Sequence, residues 1–325
     1  MTHALKRLKA LRRFAIAITV LNLLGHTVLG FEQSHLQSLA AVLTAYATEM
    51  VLEVTRIWGT GDRPRFAKGS AQDRIDFFLA PHISALAVAM LTYANDRIGV
   101  VVFGTVVAIA SKALLRAPVD GRMRHFMNPS NFGITVTLLL FHWVGVAMPY
   151  QFTENLRGEW GYLLPVIIIC TGSLLNAKLT GRLPLILAWL TGFALQAVVR
   201  SAFMGIRLGS ALNTMSGVAF ILFTFYMASD PQTTPEPRGE VEPWTWKRIL
   251  SRDHLLSWEQ IGFGLGTAAA YGVLMAFGKV YTLFFCLSIT CGLRGAWLWI
   301  RHLRTGNADY EPAYASPNGF VLPRH

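Results

Sequence analysis

The sequence of 325 residues predicts an all-α, polytopic membrane protein with about ten transmembrane helices in two inverted five-helix halves. Apolar runs long enough to cross a hydrocarbon core of about 30 Å, at about 1.5 Å per residue, recur along the chain. Only 14% of the residues are charged, against about 25% in an ordinary soluble domain, and the mean hydropathy is +0.42. The net charge of +11 does not point to nucleic acid, because the 29 basic residues sit between the apolar runs rather than in one patch. Orientation in a membrane accounts for them better.

The first run, Phe14 to Gly30, follows Lys6, Arg7, Lys9, Arg12 and Arg13. It lacks a small-residue cleavage site, so it reads as a retained helix rather than a signal peptide. Nine further runs follow at 36–55, 76–94, 98–115, 131–150, 161–177, 183–204, 209–228, 258–277 and 280–300. With the N-terminus cytoplasmic, the inside segments hold 22 of the 29 Lys and Arg. The outside ends hold five, Arg97, Arg157, Arg200, Arg207 and Lys279, and Lys112 and Arg294 fall within spans. An odd miscount would reverse every later loop, so the bias supports an even number with both termini inside a bacterial inner membrane. Two sets of five are inverted relative to each other. Ser84-Ala85-Leu86 and Ser210-Ala211-Leu212 form a faint echo at corresponding places of the two halves, and both spans carry mid-span breakers or small residues, Pro81 in one and Ser216-Gly217 in the other.

Residues 1–304 thus form the transmembrane domain, with a cytoplasmic insert at 236–257 and a disordered tail at 305–325. The insert carries Trp244, Trp246, Lys247, Arg248 and Arg252. It reads either as an interfacial helix facing anionic lipid or as a docking site for a soluble partner.

The residues able to carry chemistry are few. Asn128-Pro129 opens a helix, since Asn caps and Pro suits the first helical position; a polar helix start at a membrane edge favours an anion or a polar ring edge. Glu49 and Glu53 are four apart on one face, and with Lys112 and Arg294 they are intramembrane charges: either a glutamate pairs with Arg294 or the long basic chains snorkel outward, or the charges form a proton or cation path. Asp230-Pro231 stops a helix, or with Thr233 and Thr234 offers oxygens to a cation. His26, His82 and His142 lie in different spans, which does not make a haem site. Gly262, Gly264 and Gly266 lack a preceding strand, so packing through Gly262 and Gly266 explains them better than a dinucleotide loop. Cys170, Cys286 and Cys291 read as buried thiols without metal-ligand spacing, and no metal site or nucleophile–base set is found.

Lys112 with His125-Phe126-Met127-Asn128-Pro129-Ser130-Asn131-Phe132-Gly133, then Thr171-Gly172-Ser173-Leu174-Leu175, Arg182-Leu183-Pro184-Leu185, Ser216-Gly217 and Ser229-Asp230-Pro231-Gln232-Thr233-Thr234-Pro235, resembles in the same order the RnfD/NqrB family. These are membrane subunits of the Rnf and sodium-translocating NADH:quinone oxidoreductase complexes. The resemblance implies ten helices in two inverted halves, flavin, and electron transport beside redox partner subunits or a soluble flavoprotein. It also implies a flavin site at Asn128, drawing on Lys112, His125 and Asn131, with His125 standing where the family often has asparagine. The loop Gln151 to Glu159 lacks the family's Asp-Gly-x-Ser-Gly-Ala-Thr signature, so riboflavin or FMN is expected without a covalent bond. This departure resembles the divergent RnfD-like proteins encoded with enediyne biosynthesis clusters. Two other functions stay open: a solute or ion transporter on the same scaffold, and a membrane anchor for biosynthetic enzymes.

Overall fold

A computed structural model describes residues 3–59, 61–119, 122–236 and 257–305. The described chain is helical apart from two short antiparallel ladders. It is an all-α membrane protein: among the described residues five helices are long and apolar enough to cross a membrane, and a sixth is reached if one bent pair counts as a single span. The chain divides into two compact units, one running to Ala147 and resuming at Gly295, the other Met148–Arg294.

The first unit holds α1 (His3–Leu24), α2 (His35–Ile57), α3 (Ala71–Leu91), α4 (Ile98–Leu114) and α5 (Pro129–Leu140). Patterning in α2 is inside out. Gln37, Ala41, Ala45, Glu49 and Glu53 recur every four residues and are buried, while Leu36, Leu39, Leu43, Val51 and Val54 are exposed. A helix that shows leucine outward and hides glutamate is built for lipid rather than water. Gln37 also completes the end of α3, donating from Nε2 to Ala89 O at 2.7 Å and Thr92 O at 2.9 Å, carbonyls that the helix end leaves open. Ser70 and Asp73 close the other end of α3 in a capping box. α3 runs on through Pro81, which therefore does not break the span; Ser84 to Leu86 lie in its buried stretch.

α4 and α5 approach through small residues. A Cβ on Gly133 would run into the Gly104 carbonyl oxygen and Ala108, and one on Gly104 would lie 2.6 Å from Thr137 Oγ1. Gly104 thus faces Thr137 and Ala108 faces Gly133, an antiparallel register. The hairpin between them is β2 (Arg116–Val119) with β3 (Arg122–His125), pairing Arg116 with His125. The fifth run is shorter than 131–150: α5 stops at Leu140 after 12 residues. Val144 N donates to Phe141 O in a turn, Arg97 stacks on Trp143 at 4.4 Å, and β4 (Gly145–Val146) pairs with β1 (Thr92–Tyr93). That pairing draws the chain out of helix, and it leaves His142 exposed beyond the helix end.

The second unit holds α6 (Trp160–Leu175), α7 (Leu183–Met204), α8 (Leu208–Asn213), α9 (Val218–Leu222), α10 (Trp258–Ala276) and α11 (Thr282–Thr305), the last passing into the first unit at Gly295. α8 and α9, with their 3-10 and π extensions, bend by 63° at Gly217, where the sequence has its Ser-Gly breaker. The core is aromatic: Trp189 lies within 5.4–6.4 Å of Phe193, Phe220, Phe223 and Tyr271, and donates from Nε1 to Thr224 Oγ1 at 2.9 Å. Close packing of α10 uses Gly264, whose Cβ would meet Leu185 O at 2.6 Å. Gly262 has nothing within 4 Å and Gly266 only Thr290, so these two are not the packing pair; the contact face follows Gly264 and Ala268 instead. Cys286 and Cys291 are buried, but Cys170 is exposed on α6. The insert between Glu236 and Ser257, with Trp244 to Arg252, and the tail beyond Thr305 lie outside the described residues.

Gly133→Ala should destabilise the fold by about 1–3 kcal/mol, because its new methyl meets backbone that cannot rotate away. Gly262→Ala should leave the apparent melting temperature of the detergent-solubilised protein unchanged. Equal melting of both variants would refute the α4–α5 close approach.

Candidate functional site

The register of α4 on α5 places the next four-residue step of α4, Lys112, at the level of Pro129. Lys112 is 3% exposed and Glu49 2%. Lys112 Nζ lies 2.8 Å from Glu49 Oε2, yet neither atom makes a well-aligned hydrogen bond, so attraction between the full charges holds the pair. One turn along α2, Glu53 accepts from Arg56 Nη2 at 2.8 Å, and from Arg65 Nε and backbone N, both at 3.1 Å. Arg65 also lies over the Phe77 ring at 5.0 Å. The two glutamates therefore find Lys112, Arg56 and Arg65 as partners, not Arg294.

Beside Lys112 begins α5. Asn128 Oδ1 accepts from Asn131 N and Ser130 Oγ, both at 3.0 Å, which is the capping role the Asn-Pro pair predicts. Asn128 and Asn131 are buried, as is His125 at the end of β3. Burial first, then the positive charges of Lys112, Arg116 and Arg124, push the His125 imidazole down to about 3, so it stays neutral at physiological pH. The hairpin that carries it is pinned by Arg116 Nη2 to Met123 O at 2.7 Å and by Trp299 Nε1 to Arg116 O at 2.9 Å. Phe126 packs on Gly295, where any Cβ would collide with its ring. Lys112, His125, Asn128 and Asn131 are thus gathered at one end of α4 and α5, with Glu49 opposite. A cation, a neutral imidazole and a helix N-terminus in a dry setting suit an electron-rich ring edge or an anion.

Asp230, Thr233 and Arg294 lie in the second unit. Asp230 Oδ1 accepts from Gln232 N at 3.1 Å and Oδ2 from Thr233 Oγ1 at 3.0 Å, the side-chain turn expected where a helix stops. Arg294 Nη1 donates to Thr233 O at 2.9 Å. Buried Arg182 donates from Nε to Thr234 Oγ1 at 2.8 Å and from Nη2 to Pro231 O at 2.9 Å, and Gln260 Nε2 reaches Gly181 O and Pro235 O. Two arginines and a glutamine thus fix this turn by its oxygens, a shaping role.

Sequence reasoning missed a relay in the first unit. His82 Nε2 lies 2.8 Å from Thr19 Oγ1, and its Nδ1 lies 2.9 Å from Tyr46 OH. Thr19 donates its own proton to Ala15 O, so Nε2 carries the imidazole proton and Nδ1 accepts from Tyr46. Both nitrogens are occupied, which leaves neither for haem iron. The signal in the sequence is positional: Tyr46 and His82 fall near the middles of α2 and α3. Among the described residues no group of three or more His, Cys, Asp or Glu could hold a metal ion. No family model matches the chain, and no curated protein matches it either.

Lys112→Met should destabilise by about 3–5 kcal/mol, because it strands the Glu49 carboxylate, and adding Glu49→Gln should recover most of the loss. A double mutant as unstable as the single one would refute the pairing. His125 sets a pH dependence. Its unfolded imidazole takes up a proton below about 6.5 and the folded one only near 3, so its stability contribution is full above pH 6.5 and falls as pH drops through that window. His125→Gln should flatten this part of the stability–pH curve.

Proposed function

We propose that the chain is an RnfD/NqrB-like component of a membrane electron-transport pathway. It holds riboflavin or FMN without a covalent bond, or couples to a flavoprotein or redox partner subunits. Its setting on this reading is a bacterial inner membrane crossed ten times, with both termini cytoplasmic and two inverted five-helix halves. The 22-to-5 distribution of basic residues and the division of the chain near Ala147 support that topology. α5, about 18 Å long by its rise per residue, then crosses only with the help of the segment that follows it.

The observation that carries the reading is the buried Lys112 ammonium at the level of the Asn128-capped start of α5. A flavin supplies reversible electron uptake when bound. The chain's part is to hold the ring: Lys112 and the α5 N-terminus favour the negative charge that a reduced isoalloxazine gains, while neutral His125 and the asparagine amides match its edge. Phe126 packs against Gly295, which leaves Phe132 as the candidate stacking face. The order of motifs along the chain supports the same family, and its divergent loop at 151–159 supports service in natural-product biosynthesis of the enediyne kind.

A second reading, transport of an ion or solute, draws on the buried ladder of Glu49 with Lys112 and Glu53 with Arg56 and Arg65, since charges kept inside a membrane mark ion pathways.

The protein purified in mild detergent should absorb in the visible as flavin does, release that flavin on acid precipitation, and lose it in Asn128→Leu. A colourless preparation removes the flavin-binding reading, and colour left on the precipitate means a covalent bond. If the chain transports ions, vesicles containing it should show flux that Glu49→Gln abolishes; unchanged flux in the variant ends that alternative.

A further inference from the structure

α7 presents Ala188, Gly192, Gln196 and Arg200 at four-residue spacing. The first three lie against α10: a Cβ at Gly264 would sit 3.0 Å from that of Ala188, one at Gly192 2.8 Å from that of Ala268, and one at Gly272 3.1 Å from that of Gln196. Helices in this register run parallel, so Arg200 falls level with Ala276 at the end of α10, close to the turn that leads into α11 at Thr282.

Arg200 is only 8% exposed. Among the described residues its guanidinium makes one long hydrogen bond, Nη1 to Gln196 Oε1 at 3.4 Å, and its buried Nε has no hydrogen-bond partner. No carboxylate pairs with it among the described residues. The end of α10 is already capped: the Val273, Leu274 and Met275 carbonyls accept from the N–H groups of Phe277, Lys279 and Gly278. α11 brings positive polarity to the same place, since the first amides of a helix lack intrahelical partners. Its first residue, Thr282, donates from Oγ1 to Met275 Sδ at 3.4 Å, which ties the start of α11 to the end of α10. A buried guanidinium without a counter-ion is costly, and its cheapest remedy is an anion from outside the chain.

We propose that Arg200, the N-terminus of α11 and the polar side chains beside them form a binding site for a phosphate-type oxyanion, supplied by the headgroup of an anionic phospholipid or by free phosphate. The planar fork of arginine matches two phosphate oxygens at once, and a helix N-terminus adds amide donors. The site takes no residue from the flavin site and stands without it.

The test is thermal unfolding of the full chain in an uncharged detergent, with inorganic phosphate, or with phosphatidylglycerol against phosphatidylcholine in mixed micelles. The wild type should melt higher with phosphatidylglycerol or phosphate and be unmoved by phosphatidylcholine. A rise with phosphatidylglycerol alone assigns the lipid, and a rise with phosphate as well assigns the free ion. Arg200→Gln should weaken the response roughly tenfold or more, as loss of hydrogen bonds to a charged group does. Without either probe it should melt no lower than the wild type, because the variant removes an uncompensated charge; a merely structural arginine would melt lower. Arg200→Lys keeps the charge, loses the fork, and should weaken the response several-fold, which covers the case of a glutamine variant that does not fold. No rise with either probe, or wild-type responses in both variants, would overturn the proposal.

Discussion

The ion pair of Glu49 with Lys112 is the constraint on which the first unit depends. Both side chains are buried in the protein, and either charge left there alone would be costly. The pair forces α2 and α4 into contact at that level, and the Gly104–Ala108 face of α4 then brings α5 close enough to start beside the ammonium. Asn128 caps α5 through its own side chain, and burial first, then the charges of Lys112, Arg116 and Arg124, keeps His125 neutral beside it. Remove the lysine and the carboxylate is stranded; remove the small residues and the charges lose their enclosure.

Much of this was legible in the sequence, because lipid makes patterning one-sided. The shared face of Glu49 and Glu53 on α2 could be read from spacing, and so could the Asn-Pro helix start and the break at Ser216-Gly217. The partners were not legible. Glu49 finds Lys112 from a helix more than fifty residues on, and nothing local in either segment names the other. Arg294 was an equally good candidate by charge, but its guanidinium is used on the Thr233 carbonyl. The end of α5 was also hidden: Phe141 to Pro149 is apolar enough to continue a helix, and only the pairing of Gly145 and Val146 with Thr92 and Tyr93 diverts it. Pro81 failed as a breaker because a proline costs a helix one hydrogen bond and local crowding, which a buried, well-packed helix can absorb.

Some buried charges do announce themselves once a pattern is followed to its end. α4 carries Gly104, Ala108 and Lys112; α2 carries Ala41, Ala45, Glu49 and Glu53; α7 carries Ala188, Gly192, Gln196 and Arg200. In each, four-residue spacing keeps one face toward a neighbour, and the small residues draw that neighbour near. A charge at the next step is carried into the same contact and cannot snorkel out. Arg97, Arg207 and Lys279 follow no such stripe, and all three are exposed. In these three helices the stripe, rather than the distance of a residue from the end of its apolar run, marks the buried charge, whereas Arg182 is buried at a helix start by the turn it holds. Burial of that kind demands a partner: Lys112 and Glu49 supply it to each other across two helices, Glu53 draws on Arg56 and Arg65, and among the described residues Arg200 reaches only the Gln196 amide oxygen, at 3.4 Å.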